Sequence, residues 1–162
     1  MDDFLIAGNE KNRRWREVLE VFYKAFRWSP WEQDRFKQTG LELIQDPKTG
    51  EITFSQAEYL KQIQEIDVPK DRSKNPDAPC TEKEISKLRG LLGALQWLCT
   101  QSRPDVCAEV GLLQTEVSKA TVATLSAANK VLRKAQKTAL DVFKVVRLEG
   151  GTVVIGWSDS RC

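Results

Sequence analysis

The chain has 162 residues, with 25 Lys and Arg against 23 Asp and Glu, four cysteines and no histidine. No apolar run approaches the ~20 residues of a membrane-spanning helix, and the first residues lack the basic-then-apolar order of a secretory leader, so we expect an intracellular protein, cytoplasmic or nuclear, with no membrane partner. Because histidine is absent, serine and cysteine triads and most zinc sites that are not purely thiolate are excluded.

The first third of the chain predicts a strand, a helix and a hairpin. Residues Phe4–Ala7 form a short apolar run that favours a strand, and Asn9 is a candidate N-cap for an amphipathic helix. The apolar stripe of that helix recurs every three or four residues, at Trp15, Val18, Leu19, Phe22 and Phe26. Farther on, the turn residues 46–50 (DPKTG) separate two apolar segments and predict a hairpin.

The middle of the chain predicts a linker followed by three helices. Ser55 can cap a short helix that ends before Pro69, and residues 67–80, with three prolines, indicate a linker or extended loop. Thr81 and Glu84 form a capping box, Pro104 opens a second long helix and Ser118 caps a third. The predicted inward positions are Ile85, Leu88, Leu92, Leu95 and Cys99, then Val106, Cys107, Val110, Leu113 and Val117, then Val122, Leu125, Ala128, Leu132 and Ala135.

Two features could take part in chemistry or binding. Asp2 and Asp3 precede an apolar strand and Asp159 follows one, and carboxylates at such positions can bind Mg²⁺, although composition alone favours a disordered acidic N-terminus and an ordinary surface turn. The third helix has a basic excess that is typical of a phosphate contact and also of an ordinary solvated helix face. After it, the segment VFKVVRLEGGTVVIGW predicts two strands about the Gly150–Gly151 turn.

The order of these segments resembles the polymerase polyprotein of copia-type long-terminal-repeat retrotransposons. The residues that carry the resemblance are MDDFLIAG, RFKQTGLELIQDPKTGEITFSQAEYL, LRGLLGALQWLCTQSRPDVCAEVGLLQ, the basic AANKVLRKAQ and GWSDS. The resemblance implies an α+β chain with four parts. These are a palm remnant with a primer-grip-like hairpin (1–66), a linker (67–80), a helical thumb and connection (81–140) and the first strands of a truncated ribonuclease H-like domain (141–162).

The resemblance also implies roles for particular residues. Asp2 and Asp3 look like the two aspartates of the Tyr-x-Asp-Asp motif, and Asp159 looks like the first ribonuclease H carboxylate, each a catalytic ligand of Mg²⁺ in the complete parent enzyme. The residues that it suggests for binding an RNA/DNA primer-template duplex, together with those of the basic helix, are Phe36, Gly40, Arg103, Lys130, Arg133, Lys134 and Lys137. For Arg103 and Pro104, in the SRPDV variant of the Thr-Arg-Pro-Asp signature, helix-junction architecture is an alternative role.

We therefore expect a fragment of a reverse transcriptase with ribonuclease H, working with the remainder of its polyprotein and inactive alone because metal carboxylates of both centres are missing. One alternative is a non-catalytic nucleic-acid-binding module that uses the basic helix 118–139. Another is a helical scaffold whose resemblance reflects ancestry only.

Overall fold

The computed structural model describes residues 6, 8, 9 and 11–146, and the structural statements below concern these residues. They form an α+β fold with six α-helices and one four-stranded antiparallel sheet. The helices are α1 (Arg13–Ala25), α2 (Ala57–Gln62), α3 (Lys70–Ser73), α4 (Glu82–Gln101), α5 (Cys107–Glu116) and α6 (Val122–Lys137). The strands are β1 (Arg35–Gln38), β2 (Leu41–Gln45), β3 (Ile52–Ser55) and β4 (Phe143–Val145). No helix among them is long and apolar enough to cross a bilayer.

The sheet has the order β1-β2-β3-β4, and its first two turns follow from their residues. Thr39 and Gly40 join β1 to β2 with φ of 48° and 80°, the positive pair that a two-residue type I′ turn needs. Between β2 and β3, Asp46 Oδ1 accepts hydrogen bonds from the backbone N–H of Lys48 at 2.7 Å and of Thr49 at 3.3 Å. The predicted hairpin about residues 46–50 is therefore confirmed.

The fourth strand comes from the far end of the described chain. Phe143 lies opposite Phe54 and Val145 opposite Ile52, with the two phenylalanine rings 6.1 Å apart. The first arm of the predicted C-terminal hairpin thus pairs with β3, while its Gly150–Gly151 turn and second arm lie outside the described residues. The pairing brings residues 143–145 into the same sheet as residues 35–55.

The hydrophobic core lies among α4, α5 and α6, as their apolar spacing predicts. Leu88, Leu95 and Leu98 of α4 and Leu125 and Leu132 of α6 are fully buried. Each such leucine stabilises the fold by roughly 1.5–3 kcal/mol relative to an exposed one. Val106, Val110 and Leu113 complete the core from the α5 side. The three-helix arrangement therefore follows from the apolar periodicity.

Several local expectations were wrong. Helix α1 starts later than predicted, because the side chain of Asn12 rather than Asn9 accepts from its first N–H groups, those of Arg14 and Trp15. Ser118 lies in a 3₁₀ turn (Val117–Lys119), and α6 starts after Thr121, whose N–H donates to Thr124 Oγ1.

Of the two cysteines that were predicted to face the core, only Cys99 does so. Cys99 is buried, and this burial raises the pKa of its thiol to about 11. Cys107 is exposed, because the 3₁₀ turn Pro104–Val106 starts α5 with Val106 directed inward.

The predicted linker is an ordered segment that contains α3. Arg72 ion-pairs with Glu84 at 2.8 Å and donates to the Pro79 carbonyl at 2.9 Å. The Cys80 N–H donates to the Ala120 carbonyl at 2.9 Å. These bonds tie residues 67–80 to the first turns of α4 and α6. Near the N-terminus, Ile6 has no regular structure, and most of the predicted strand Phe4–Ala7 lies outside the described residues.

Candidate nucleic-acid interface

The three predicted catalytic carboxylates, Asp2, Asp3 and Asp159, lie outside the described residues. Within residues 6, 8, 9 and 11–146, no group of three or more Cys, Asp or Glu side chains is placed to hold a metal ion. The candidate site for which the structure gives a geometry is therefore the basic side of α6.

The two sides of α6 differ sharply in chemistry. Its inward side is buried, whereas Lys130, Arg133, Lys134 and Lys137 are all exposed. Their spacing of three and four residues places the four cations in one stripe along the helix. We call these four residues the basic stripe. Such a row can bind successive phosphates of a nucleic-acid backbone without reading its sequence.

Acidic side chains from neighbouring segments neutralise two members of the basic stripe. Arg133 pairs with Glu65, and Lys134 bonds both carboxylate oxygens of Glu109, at 3.0 and 3.1 Å. Lys130 and Lys137 have no ion pair within the described part of the chain. The two outer lysines are thus the cations most available to an anion.

Buried amides hold α6 in place beneath the stripe. Asn129 is nearly buried, and its side chain accepts from the Ile66 N–H and donates to the Ile66 carbonyl, both at 2.8 Å. Two turns later, Gln136 Nε2 donates to the carbonyls of Leu60 and Ile63. This pinning makes α6 a rigid support for its cations. A cavity of about 700 Å³ lies between α6 and residues 61–68. Its lining includes Arg133 and the acids Glu65 and Asp67.

Two roles were predicted for Arg103, a nucleic-acid contact and a part in a helix junction. Its hydrogen bonds place it in the helix junction. Its side chain is 7% exposed and its guanidinium donates five hydrogen bonds. Two go to the Asp105 carboxylate, one to the Ala135 carbonyl and two to the carbonyl and hydroxyl of Thr138. Ala135 lies in the last turn of α6 and Thr138 is its C-cap residue, so Arg103 caps that helix and its donors are all used.

The rest of the SRPDV segment serves the same junction. Ser102 Oγ donates to Gln56 Oε1 at 2.8 Å, Pro104 starts the 3₁₀ turn and Val106 is fully buried. The Arg103 guanidinium beside Asp105 holds the pKa of that carboxyl below its usual range. The signature thus joins the end of α4, the start of α5 and the end of α6 in one node.

Phe36 and Gly40 belong to a different element, the β1-β2 hairpin. Phe36 lies opposite Leu43, which lies opposite Phe54, so its half-buried ring belongs to an apolar row across one sheet face. Gly40 is exposed in the turn. Neither residue belongs to α6, so both lie on a different element from the basic stripe.

Sequence reasoning missed the acidic partners of the stripe. Glu65 and Glu109 lie far from α6 along the chain, so no spacing rule links them to Arg133 and Lys134. It also missed an exposed side of α4, where Gly90 and Gly93 have open space at their Cβ positions and Trp97 is 38% exposed. An interior helix glycine costs about 1 kcal/mol relative to alanine, which is the signal that could have drawn attention to this side.

Comparison with protein-family models, with curated proteins and with solved structures gives no match.

Proposed function

We propose that this chain is part of the polymerase polyprotein of a copia-type retrotransposon and that the basic stripe of α6 contacts the phosphates of an RNA/DNA primer-template duplex. The order of the sequence motifs supports the first half of the proposal. The second half depends on a single observation, four exposed cations in one row on a helix whose other side is buried.

The proposed contact is electrostatic and independent of base sequence. Lysines and arginines on one helix side bind phosphates and release condensed counterions, so the affinity falls steeply as salt rises. No polar side chain is assigned to a base edge, and binding should show little sequence preference.

A binding measurement tests the proposed contact. Fluorescence anisotropy with a labelled RNA/DNA hybrid at low salt should show binding by the full chain and a loss of roughly tenfold or more for Lys130→Gln/Lys137→Gln. The matched control is Lys48→Gln/Lys74→Gln, which removes two other exposed lysines and the same charge. No binding at low salt, or equal losses in both variants, would reject the proposal.

A separate observation tests the polyprotein origin. The reading frame upstream of the Met1 codon should encode an aromatic residue directly before it, completing the motif that Asp2 and Asp3 resemble, and an aspartate-bearing strand farther upstream. A stop codon immediately upstream would contradict a preceding palm.

A further inference from the structure

We infer that Gln56 binds a structural water molecule in a small cavity bordered by the start of α2, the end of α4 and the segment after α6. Gln56 follows β3 and is 4% exposed. Its Oε1 accepts from Ser102 Oγ at 2.8 Å, whereas its Nε2 is buried and has no hydrogen-bond partner within the described residues. In this orientation the unpaired atom is a donor; exchanging the amide nitrogen and oxygen would leave an unpaired acceptor instead, to which a water can equally donate.

The lining of the cavity suits a single water. The cavity has a volume of about 10 Å³, close to the smallest that holds one water. Leu60 and Leu98 form apolar walls, and Gln56, Ser102 and Asp141 provide the polar groups. Arg103 also borders the cavity, but its five donors are directed to Asp105, Ala135 and Thr138.

The occupant must therefore both accept and donate. It accepts from Gln56 Nε2, the unpaired donor, and can donate to an acceptor of the lining, of which the carboxylate of the exposed residue Asp141 is the charged one. A cation would meet the Gln56 donor, and an anion would meet Asp141. Water satisfies both groups without adding charge, as buried waters do for polar groups that the chain leaves unpaired.

The water has a structural consequence because its ligands come from different parts of the fold. Gln56 lies between β3 and α2, Ser102 ends α4, and Asp141 lies between α6 and β4. A water held by Gln56 and Asp141 extends the direct Gln56-Ser102 bond into a network that joins the segment after β3 to the end of α4 and the segment after α6. Gln56 thus positions the β2-β3 hairpin relative to the end of α4.

Nuclear magnetic resonance of the ¹⁵N-labelled full chain tests the inference. The side-chain amide protons of Gln56 should show NOE and ROE cross-peaks to water of opposite sign, the pattern of a bound water, while those of the exposed Gln114 should not. Observable Gln56 amide protons without such cross-peaks would overturn the inference.

Denaturation of two variants gives an independent readout. Ser102→Ala removes only the direct bond to Gln56, whereas Gln56→Met removes that bond and the donor to the water. With a bound water, Gln56→Met should have a folding equilibrium constant on the order of tenfold below that of Ser102→Ala, since the water loses its donor. A Gln56→Met protein as stable as Ser102→Ala, or more stable, would show that the amide faces a dry cavity. If Gln56→Met does not fold, the resonance experiment on the unaltered chain decides.

Discussion

The guanidinium of Arg103 joins the end of α4 to the end of α6. Arg103 is planar and carries five N–H groups, and all five meet acceptors on Asp105, Ala135 and Thr138. A lysine ammonium has three donors on a flexible stem and cannot reproduce this fork. The carbonyls near the end of α6 would then lose partners in a buried place.

We expect Arg103→Lys to lower the free energy of unfolding by about 2 kcal/mol and Arg103→Met by about 3 kcal/mol, because buried acceptors lose their donors. Urea denaturation at neutral pH measures both. An Arg103→Lys protein as stable as the original would contradict the capping role. Arg103→Lys also distinguishes a structural role from a nucleic-acid contact. Under conditions in which the variant is folded, its affinity for an RNA/DNA duplex should equal that of the original chain.

A second residue gives the fold a pH dependence. Glu84 accepts from Arg72 and from the Thr81 N–H and hydroxyl, and these bonds, that to Arg72 above all, lower the pKa of its carboxyl to about 2. In the unfolded chain the pKa returns to about 4.5. Because the folded pKa is the lower one, the stabilisation is complete above pH 4.5 and is lost as the pH falls toward 2.

The predicted measurement is therefore a difference between two proteins. Glu84→Gln should be less stable than the original chain at pH 7, and the difference should shrink as the pH is lowered from about 5 to about 2. Thermal unfolding at several pH values tests this, and other acidic groups cancel in the comparison. A difference that does not depend on pH would show that the Arg72 pair contributes nothing through ionisation.

Among the elements, α4 offers a test of unused helix stability. A Cβ at Gly93 would meet nothing within 4 Å, and the residue lies inside a 20-residue helix. We expect Gly93→Ala to raise the free energy of unfolding by about 1 kcal/mol, because alanine is the better helix former. Gly40→Ala is the contrasting variant, since its φ of 80° strains any residue with a Cβ and the change should destabilise. Equal effects of the two substitutions would contradict the backbone assignment.

The helices and strands also show which features can be predicted from local sequence. The apolar repeats of α4 and α6 predicted their buried sides, whereas α1 has a predicted apolar stripe of the same kind and none of its residues is buried. The starts of α1 and α6 could not be predicted, because Asn9 and Asn12, or Ser118 and Thr121, are similar caps in sequence. The pairing of β4 with β3 could not be predicted either, because local sequence does not specify which strand residues 143–145 pair with, and the partner lies about 90 positions earlier.

At the scale of the whole molecule, the chain itself competes with a ligand for the basic stripe. Glu65 and Glu109 occupy Arg133 and Lys134, but exposed ion pairs of this kind contribute only about 0–1 kcal/mol each. Phosphates can therefore displace the carboxylates at modest cost. Glu65→Gln/Glu109→Gln should bind an RNA/DNA hybrid a few-fold more tightly than the original chain.

The control for this prediction changes the net charge equally at a distance from the stripe. Glu20→Gln/Glu32→Gln removes two exposed carboxylates near the N-terminus. If both double variants gain the same affinity, the effect comes from net charge alone and the local competition is wrong.

The candidate site was predictable only in part at this scale. The four cations of α6 follow from sequence spacing, because helical periodicity brings them together. The burial of Arg103 does not, because its acceptors at Ala135 and Thr138 become neighbours only when α4 and α6 pack. The predicted metal ligands Asp2, Asp3 and Asp159 lie outside the described residues and stay a prediction.

The salt dependence of duplex binding tests the central claim most directly, because it counts the phosphates that the chain neutralises. We predict a linear fall of log K with log salt concentration for the full chain, and a slope shallower by about 2 for Lys130→Gln/Lys137→Gln, one for each lost phosphate contact. The Lys48→Gln/Lys74→Gln control should keep the original slope. An identical slope in all three proteins would contradict a phosphate contact by α6.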